Sequence, residues 1–253
     1  MLDQDTFQEK LNAFQFDEDK FKVLTEDGRI AMVMTPKNVK HPAGEMTTFR
    51  SIYETVLDLD WKLRISLQIA SEHILKNSPQ YKPFGEIDKR TKMAIYYLEN
   101  ALFRLTSFWD MLAQGYRILH DVKKNLKNTV IDIDHVNYKS FFDPSKTPHN
   151  NFESDADEIH QYISGDNWHK LINELRNQMT HKFSPNIPAM SNYTMNLPYP
   201  LHIEIEAILE DYIMARKFLM KMFDTAEERI IKQSAVRELL DDGTSLSTNL
   251  RLT

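Results

Sequence analysis

Apolar residues recur at alternating steps of three and four along three long stretches of the chain. One runs through Phe49, Ile52, Val56, Leu59, Leu63, Ala70 and Ile74. A second passes Ala94, Leu98, Ala101, Leu105, Phe108, Leu112, Gly115, Leu119 and Val122. The third follows Leu201, Ile205, Ile208, Tyr212, Ala215, Leu219, Met222 and Ala226. A period of ~3.5 residues belongs to helices packed side by side and near-parallel. It predicts helices over Met46–Lys76, Ile87–Val122 and Leu201–Lys232, each on the order of 45 Å long. Prolines 79 and 83 break the chain between the first two.

A shorter helix is predicted over Asn167–Phe183, with Trp168, Leu171, Ile172, Leu175 and Met179 as its apolar stripe. Pro185 ends it, because the residue before a proline is pushed out of α geometry. Asp155–Ile163 reads as a helix leading into it, and Asn125–Asn151 as a long loop carrying a short strand or helical turn. Asn186–Pro200, with three prolines, is an extended crossover, and Ser234–Asp241 adds one or two helical turns. Near the N-terminus, Phe7, Leu11 and Phe14 mark a helix over Asp3–Phe14. Two apolar runs flank Asp27-Gly28, the pairing preferred in tight turns, and predict a hairpin of Phe21–Thr25 with Ile30–Met34. Pro36–Gly44 is a linker by composition. The expected fold is all-α: an up-and-down bundle over residues 46–233, a helix, β-hairpin and linker over 1–45, and a polar tail over 234–253.

Composition narrows the function. With six glycines, the 253-residue chain has neither a P-loop nor a dinucleotide fingerprint. The absence of cysteine excludes thiol nucleophiles and disulfides and suits a reducing cytoplasm. The start, MLDQDTFQEK, is acidic and amphipathic rather than a secretory signal, and no apolar run reaches the ~20 residues of a membrane span. The expectation is a soluble, cytoplasmic protein. A net charge of −6 argues against broad non-specific nucleic-acid binding. Any such affinity would come from a local cluster such as Lys170, Arg176, His181 and Lys182.

The Asn167–Phe183 stretch carries the candidate chemistry. Arg176 falls about 80° from the centre of its apolar stripe, at the edge. Asn177 and His181 lie on the far side, one turn apart and stacked on each other. His181 stands in the last turn, where unpaired carbonyls favour the imidazolium. An arginine, an amide and a titratable imidazole at one helix end make an anion-handling site. On an adjoining stretch, Glu99, Thr106 and Asp110 share one face of the Ile87–Val122 helix.

Arg176 to His181 reads R-N-Q-M-T-H, which resembles the signature of the HEPN superfamily, helical domains named for higher-eukaryote and prokaryote nucleotide binding. Its motif is an arginine, a polar residue next, and a histidine four to six residues after the arginine, late in a bundle helix. The match falls on Arg176, Asn177 and His181, and the resemblance covers residues from about Met46 to Lys232. It implies a metal-independent endoribonuclease that works as a homodimer, in a toxin–antitoxin or phage-defence setting, with RNA or a nucleotide as ligand and an antitoxin protein as partner. No cofactor or metal is implied. Family members add an acidic or polar residue from a neighbouring helix, a role open here to Asp110 or Glu99.

The groups suit that chemistry. Cleavage without metal uses the RNA 2′-OH as nucleophile, leaving proton transfer and charge stabilisation to the protein. His181 titrates near neutrality and serves as general acid or base. Arg176 offers a rigid donor fork for non-bridging phosphate oxygens. Asn177 orients the imidazole or binds phosphate, with Lys170 and Lys182 as further substrate-binding residues, and a two-fold dimer supplies the second acid–base group. A competing class is a non-catalytic module whose Arg176/His181 pocket binds a nucleotide or cements a dimer; a third is a plain helical scaffold with a coincidental motif. Asp132-x-x-His135 and Asp157-x-x-His160 have one-turn spacing but read as solvated groups rather than metal ligands. Tyr96, Tyr97, Phe103, Phe108 and Trp109 offer stacking surfaces for bases or, at helical spacing, core.

Overall fold

A computed structural model of the chain describes residues 2–13, 15–21, 42–76, 88–131, 136–149, 152–181, 189–190, 195–196 and 199–240. Among these it forms α1 (Gln4–Asn12), α2 (Pro42–Ile74), α3 (Lys89–Leu119), the single turn α4 (Tyr138–Phe141), α5 (Glu153–Ser164), α6 (Trp168–His181) and α7 (Leu201–Leu240). The strands β1 (Ala189–Met190) and β2 (Met195–Asn196) are two residues each and pair antiparallel, Ala189 opposite Asn196. The fold class is all-α.

Helix α7 is the spine. No residue between Glu204 and Arg216 is exposed, so this stretch is surrounded by other elements. Its expected seam of Ile205, Ile208, Tyr212, Ala215, Leu219 and Met222 is buried, and so are Leu209, Asp211 and Phe218 on other faces. A helix enclosed on every side belongs at the centre of a core. Helices α2 and α3 pack on it and on each other, and α6 covers another side.

Named contacts set the directions. Along α2, Glu45, Tyr53 and Asp60 meet Arg229, Phe223 and Tyr212 of α7, so these two helices run antiparallel. Along α3, Trp109 meets Asp211 and the Leu119 carbonyl accepts from Arg229, so α3 and α7 run parallel. Glu158, Tyr162 and His169 meet Lys221, Phe218 and Asp211, so α5 and α6 run back down α7.

Local signals explain most boundaries. Asp88 caps α3 by accepting from the Thr91 amide at 2.7 Å, and Asp3 caps α1 by accepting from the Thr6 amide at 2.8 Å. Phe7 and Leu11 of α1 are buried with the main core. Gly115 lies in the α3 seam, where an added Cβ would stand 2.4 Å from Met222 Cε of α7.

Three expectations change. Helix α2 begins at Pro42, inside the predicted linker, because proline is well placed in a first helical turn, where its missing N–H costs nothing. Helix α7 continues to Leu240 and absorbs the separate turns expected at Ser234–Asp241, since no glycine or proline interrupts it. Leu59 is only half-buried, and its neighbour Asp60 takes the interior position. The loop over Asn125–Asn151 carries the one-turn α4 and a lone bridge between Lys124 and Val130. The predicted hairpin lies outside the described residues, apart from Phe21, which is buried.

A pH response follows from the C-terminal cap of α3. The His120 ring stacks on Phe152 at 4.4 Å and on Tyr116 at 5.9 Å. Burial, with Arg229 nearby, pushes its pKa down to about 4. The unfolded chain therefore takes up this proton first, as pH falls below about 6.5. The stability that neutral His120 contributes is complete above that pH and is lost as pH falls towards 4. Urea unfolding at pH 7 and pH 4.5 should show a smaller acid loss for His120→Phe than for the wild type. Equal losses would remove His120 from the acid response.

Candidate functional site

Helix α6 is anchored at its start by Asn167. The Asn167 side chain accepts from the His169 amide at 2.9 Å and donates to the Tyr162 carbonyl at 2.7 Å. This turn sets the rotation of the helix, and the rotation differs from the expected one. Ile172 and Leu175 are buried as predicted, but the interior position in the first turn belongs to His169, fully enclosed, while Trp168 is 38% exposed. Leu171 and Met179 pack at the edge of the core. A histidine wins over a tryptophan here because its ring nitrogens find partners inside, and a buried polar group with partners carries little desolvation cost.

Those partners form one chain of hydrogen bonds. His169 Nδ1 lies 2.9 Å from Asp211 Oδ1, and both side chains are fully buried. Asp211 also accepts from Trp109 Nε1 at 3.0 Å and from the Tyr162 hydroxyl at 3.0 Å. On the other side of the imidazole, Nε2 is 3.2 Å from the Tyr138 hydroxyl, which donates to Asn173 Oδ1 at 3.0 Å. The Trp109 ring packs edge-on against His169, with centroids 4.9 Å apart. Burial pushes the Tyr138 phenol up from its ordinary value, Asp211 adds to the shift, and Arg176 opposes it. Tyr138 therefore stays neutral and serves as a fixed hydrogen-bonding post.

The chain leads outward to Arg176. Asn173 and Arg176 are one turn apart on α6, so both face the α4 side. Arg176 is half-buried and acts electrostatically on both Tyr138 and Lys139 of α4. Asp110 of α3 reaches the same place: its Oδ1 is 3.5 Å from the Tyr138 amide nitrogen, and its charge acts on Lys139. Burial lowers the Lys139 pKa first, Arg176 lowers it further, and Asp110 works the other way. Three helices thus bring Arg176, Lys139 and Asp110 to one small region at the edge of the core.

The other expected site residues fall in several places. Asn177 is exposed, one residue beyond Arg176. His181 is the last residue of α6, and its side chain, like Lys182, lies outside the described residues. Lys170 stands in the first turn of α6, exposed and paired with Asp166 at 2.9 Å. Lys170 lies six residues before Arg176 on the same helix, about 9 Å away along its axis. Glu99 is half-buried on α3, and Thr106 between it and Asp110 is buried, donating to the Leu102 carbonyl at 3.2 Å. The aromatic cluster divides: Phe108 and Trp109 are core, Tyr97 packs at its edge, and Tyr96 and Phe103 are exposed. Asp155 is engaged by Tyr116 and Lys221. Among the described residues no three His, Asp or Glu side chains gather closely enough to hold a metal ion.

Sequence reasoning missed Tyr138, Lys139, His169 and Asp211. One signal was legible for Asp211, a carboxylate next to the seam position Tyr212 and one turn after the seam position Ile208. Cavities among the described residues include one of about 450 Å³ beside Trp61 and Arg64, one of about 340 Å³ beside Lys217 and Lys221, and one of about 320 Å³ against α4, lined by Val130, Asn137, Ser140 and Phe141. Compared with known proteins, the chain matches no family model, and no curated protein or solved structure matches it.

Removing one member of the buried chain strands the others. Asp211→Ala leaves a histidine, a tyrosine and an indole N–H without their acceptor and should cost about 3–5 kcal/mol. Tyr138→Phe removes one hydroxyl and should cost about 1–3 kcal/mol. Urea unfolding measures both. A loss under about 0.5 kcal/mol for Asp211→Ala would mean the chain contributes nothing to stability.

Proposed function

We propose that the protein is a metal-independent endoribonuclease of HEPN type, with Arg176 and His181 as its catalytic pair. The observation that carries this reading is the convergence of Arg176 from α6 and Asp110 from α3 upon α4. The resemblance expects this arrangement: the arginine late in a bundle helix, with an acidic residue supplied by its neighbour. The alternating directions of α2, α3, α6 and α7 fit the up-and-down bundle of such domains.

In this mechanism the 2′-OH attacks the adjacent phosphorus, and the bond to the 5′-oxygen breaks. His181 moves the proton and Arg176 holds the non-bridging oxygens, whose charge grows in the transition state. Asn177, next to Arg176 and exposed, contacts the phosphate or the imidazole. One His181 supplies one acid–base group, and a second copy across a two-fold axis supplies the other. Products are a 2′,3′-cyclic phosphate and a 5′-OH. The setting is the cytoplasm, as a toxin held by an antitoxin or as a phage-defence effector.

The test is labelled RNA incubated with purified protein in EDTA. Wild type should cleave and leave cyclic phosphate ends, while His181→Ala and Arg176→Ala should each be slower by about 10²–10⁴-fold with unchanged circular dichroism. Cleavage by His181→Ala at the wild-type rate would end the catalytic reading.

A further inference from the structure

We propose that the cavity of about 320 Å³ against α4 binds a small amphiphilic anion, an acidic head on an apolar body, with Lys127 as the head-group contact. None of its lining residues belongs to the nuclease reading, so the two stand or fall separately.

Three short segments wall the cavity, and each is fixed by hydrogen bonds. The first is a small hairpin that follows α3. Lys124 pairs with Val130, and the Ile131 amide donates to the Lys123 carbonyl at 2.9 Å. Asn128 sits at its tip with a φ of 63°, which asparagine tolerates better than most residues. The Leu126 amide ties the hairpin to the Lys146 carbonyl at 2.8 Å. The second wall is α4. The third is the turn over residues 143–147, joined to α4 by the Thr147 hydroxyl, which donates to the Ser140 carbonyl at 3.1 Å. Walls tied together in this way hold the cavity's shape. Its volume lies at the lower end of the ~300–1,000 Å³ of small-molecule sites.

The lining selects the ligand. Val130, Ile131, Val136 and Phe141 make the interior apolar. Val136 and Phe141 are buried, while Val130 is 70% exposed, so apolar surface continues outward from the cavity. The polar groups among them have hydrogens to give rather than lone pairs. Asn125 spends its side-chain oxygen on the Lys127 amide at 3.0 Å and the Thr129 amide at 2.9 Å. Asn137 spends its own on the Ser140 amide at 3.1 Å. Each is left with its NH2 group to offer. The carbonyls of Ser140, Phe141 and Lys146 already meet Thr147, His149 and Leu126.

Charge points the same way. Among the described residues no carboxylate lines the cavity, whereas Lys127 and Lys146 both do. Lys146 is shared with Asp143 at 2.9 Å, and Asp143 also accepts from the Ser145 amide and hydroxyl. That leaves Lys127 as the cation available to a ligand. A molecule with acceptor oxygens at one end and hydrocarbon at the other satisfies both parts of the lining, and its charge strengthens the hydrogen bonds it accepts. A cationic head would meet donors and a like charge.

The experiment titrates the full chain with sodium octanoate, octyl phosphate, octan-1-ol and octylamine by isothermal titration calorimetry. Wild type should bind octanoate or octyl phosphate one to one, and the tighter of the two identifies the head group. Octan-1-ol should bind about tenfold more weakly and octylamine not at all. Lys127→Met keeps the stem, loses the charge and should weaken the anion about tenfold. Lys127→Arg should retain most of the affinity, and Val130→Glu should lose it by placing a carboxylate at the rim. Lys92→Met, exposed in the first turn of α3 and about 40 Å along that helix from its far end, should bind as wild type does. With methyl-labelled isoleucine, the bound anion should shift the Ile131 resonance, and melting temperatures separate a lost contact from a lost fold. No binding of either anion by wild type, octylamine binding as tight as octanoate, an unmoved Ile131 resonance, or wild-type affinity in Lys127→Met would each overturn the proposal.

Discussion

One buried carboxylate holds the helices in relation to each other. Asp211 has no solvent exposure, and its two oxygens accept from Trp109 of α3, Tyr162 of α5 and His169 of α6. A carboxylate moved from water to the interior is strongly disfavoured unless its lone pairs are taken up. The donors come from three helices, so only one arrangement of four helices satisfies it. Apolar burial drives α7 into the centre; Asp211 decides how α3, α5 and α6 are arranged around it.

A second polar group acts on another face of the same helix. Arg216 lies five residues beyond Asp211, about 140° around the helix. Its guanidinium is buried against Asp60 of α2 at 3.3 Å, and the Tyr212 hydroxyl donates to the same carboxylate at 2.5 Å. Burial pushes the Asp60 carboxyl up from its ordinary range, against the pull of Arg216 and Tyr212. Sliding α7 by one turn would leave both Asp211 and Arg216 facing hydrocarbon. Leucine and alanine seams tolerate such slips far better, so the polar pairs specify register where apolar contacts supply the driving force.

The candidate site inherits its geometry from this interior. Helix α4 is a single turn, too short to hold its own shape. Its place comes from Tyr138, and Tyr138 is placed by His169 and Asn173 of α6. Arg176, Lys139 and Asp110 are therefore arranged by a hydrogen-bonded chain that begins at Asp211, in the middle of the protein. Side chains positioned in this way move little when a ligand arrives, which favours binding to a fixed shape.

Much of the helical body was legible in the chain because heptad-like seams depend only on neighbours three and four residues away. The α3 and α7 seams are buried at every expected position, and α3 starts two residues after the expected Ile87, where Asp88 caps it. Arg176 was legible as a stripe-edge residue, and Asp110 as a member of a second face on α3. His169 was not, because its burial depends on Asp211, 42 residues later, and on Tyr138, 31 residues earlier. Lys139 carries no periodic signal at all, since one turn of helix has no period. The amino-acid sequence by itself determined which stretches become helices and which apolar faces they bury, through local spacing and capping. Which buried positions hold charge, and which surface groups those charges bring together, only the tertiary structure decided, because hydrogen-bond partners for a buried ion come from distant parts of the chain.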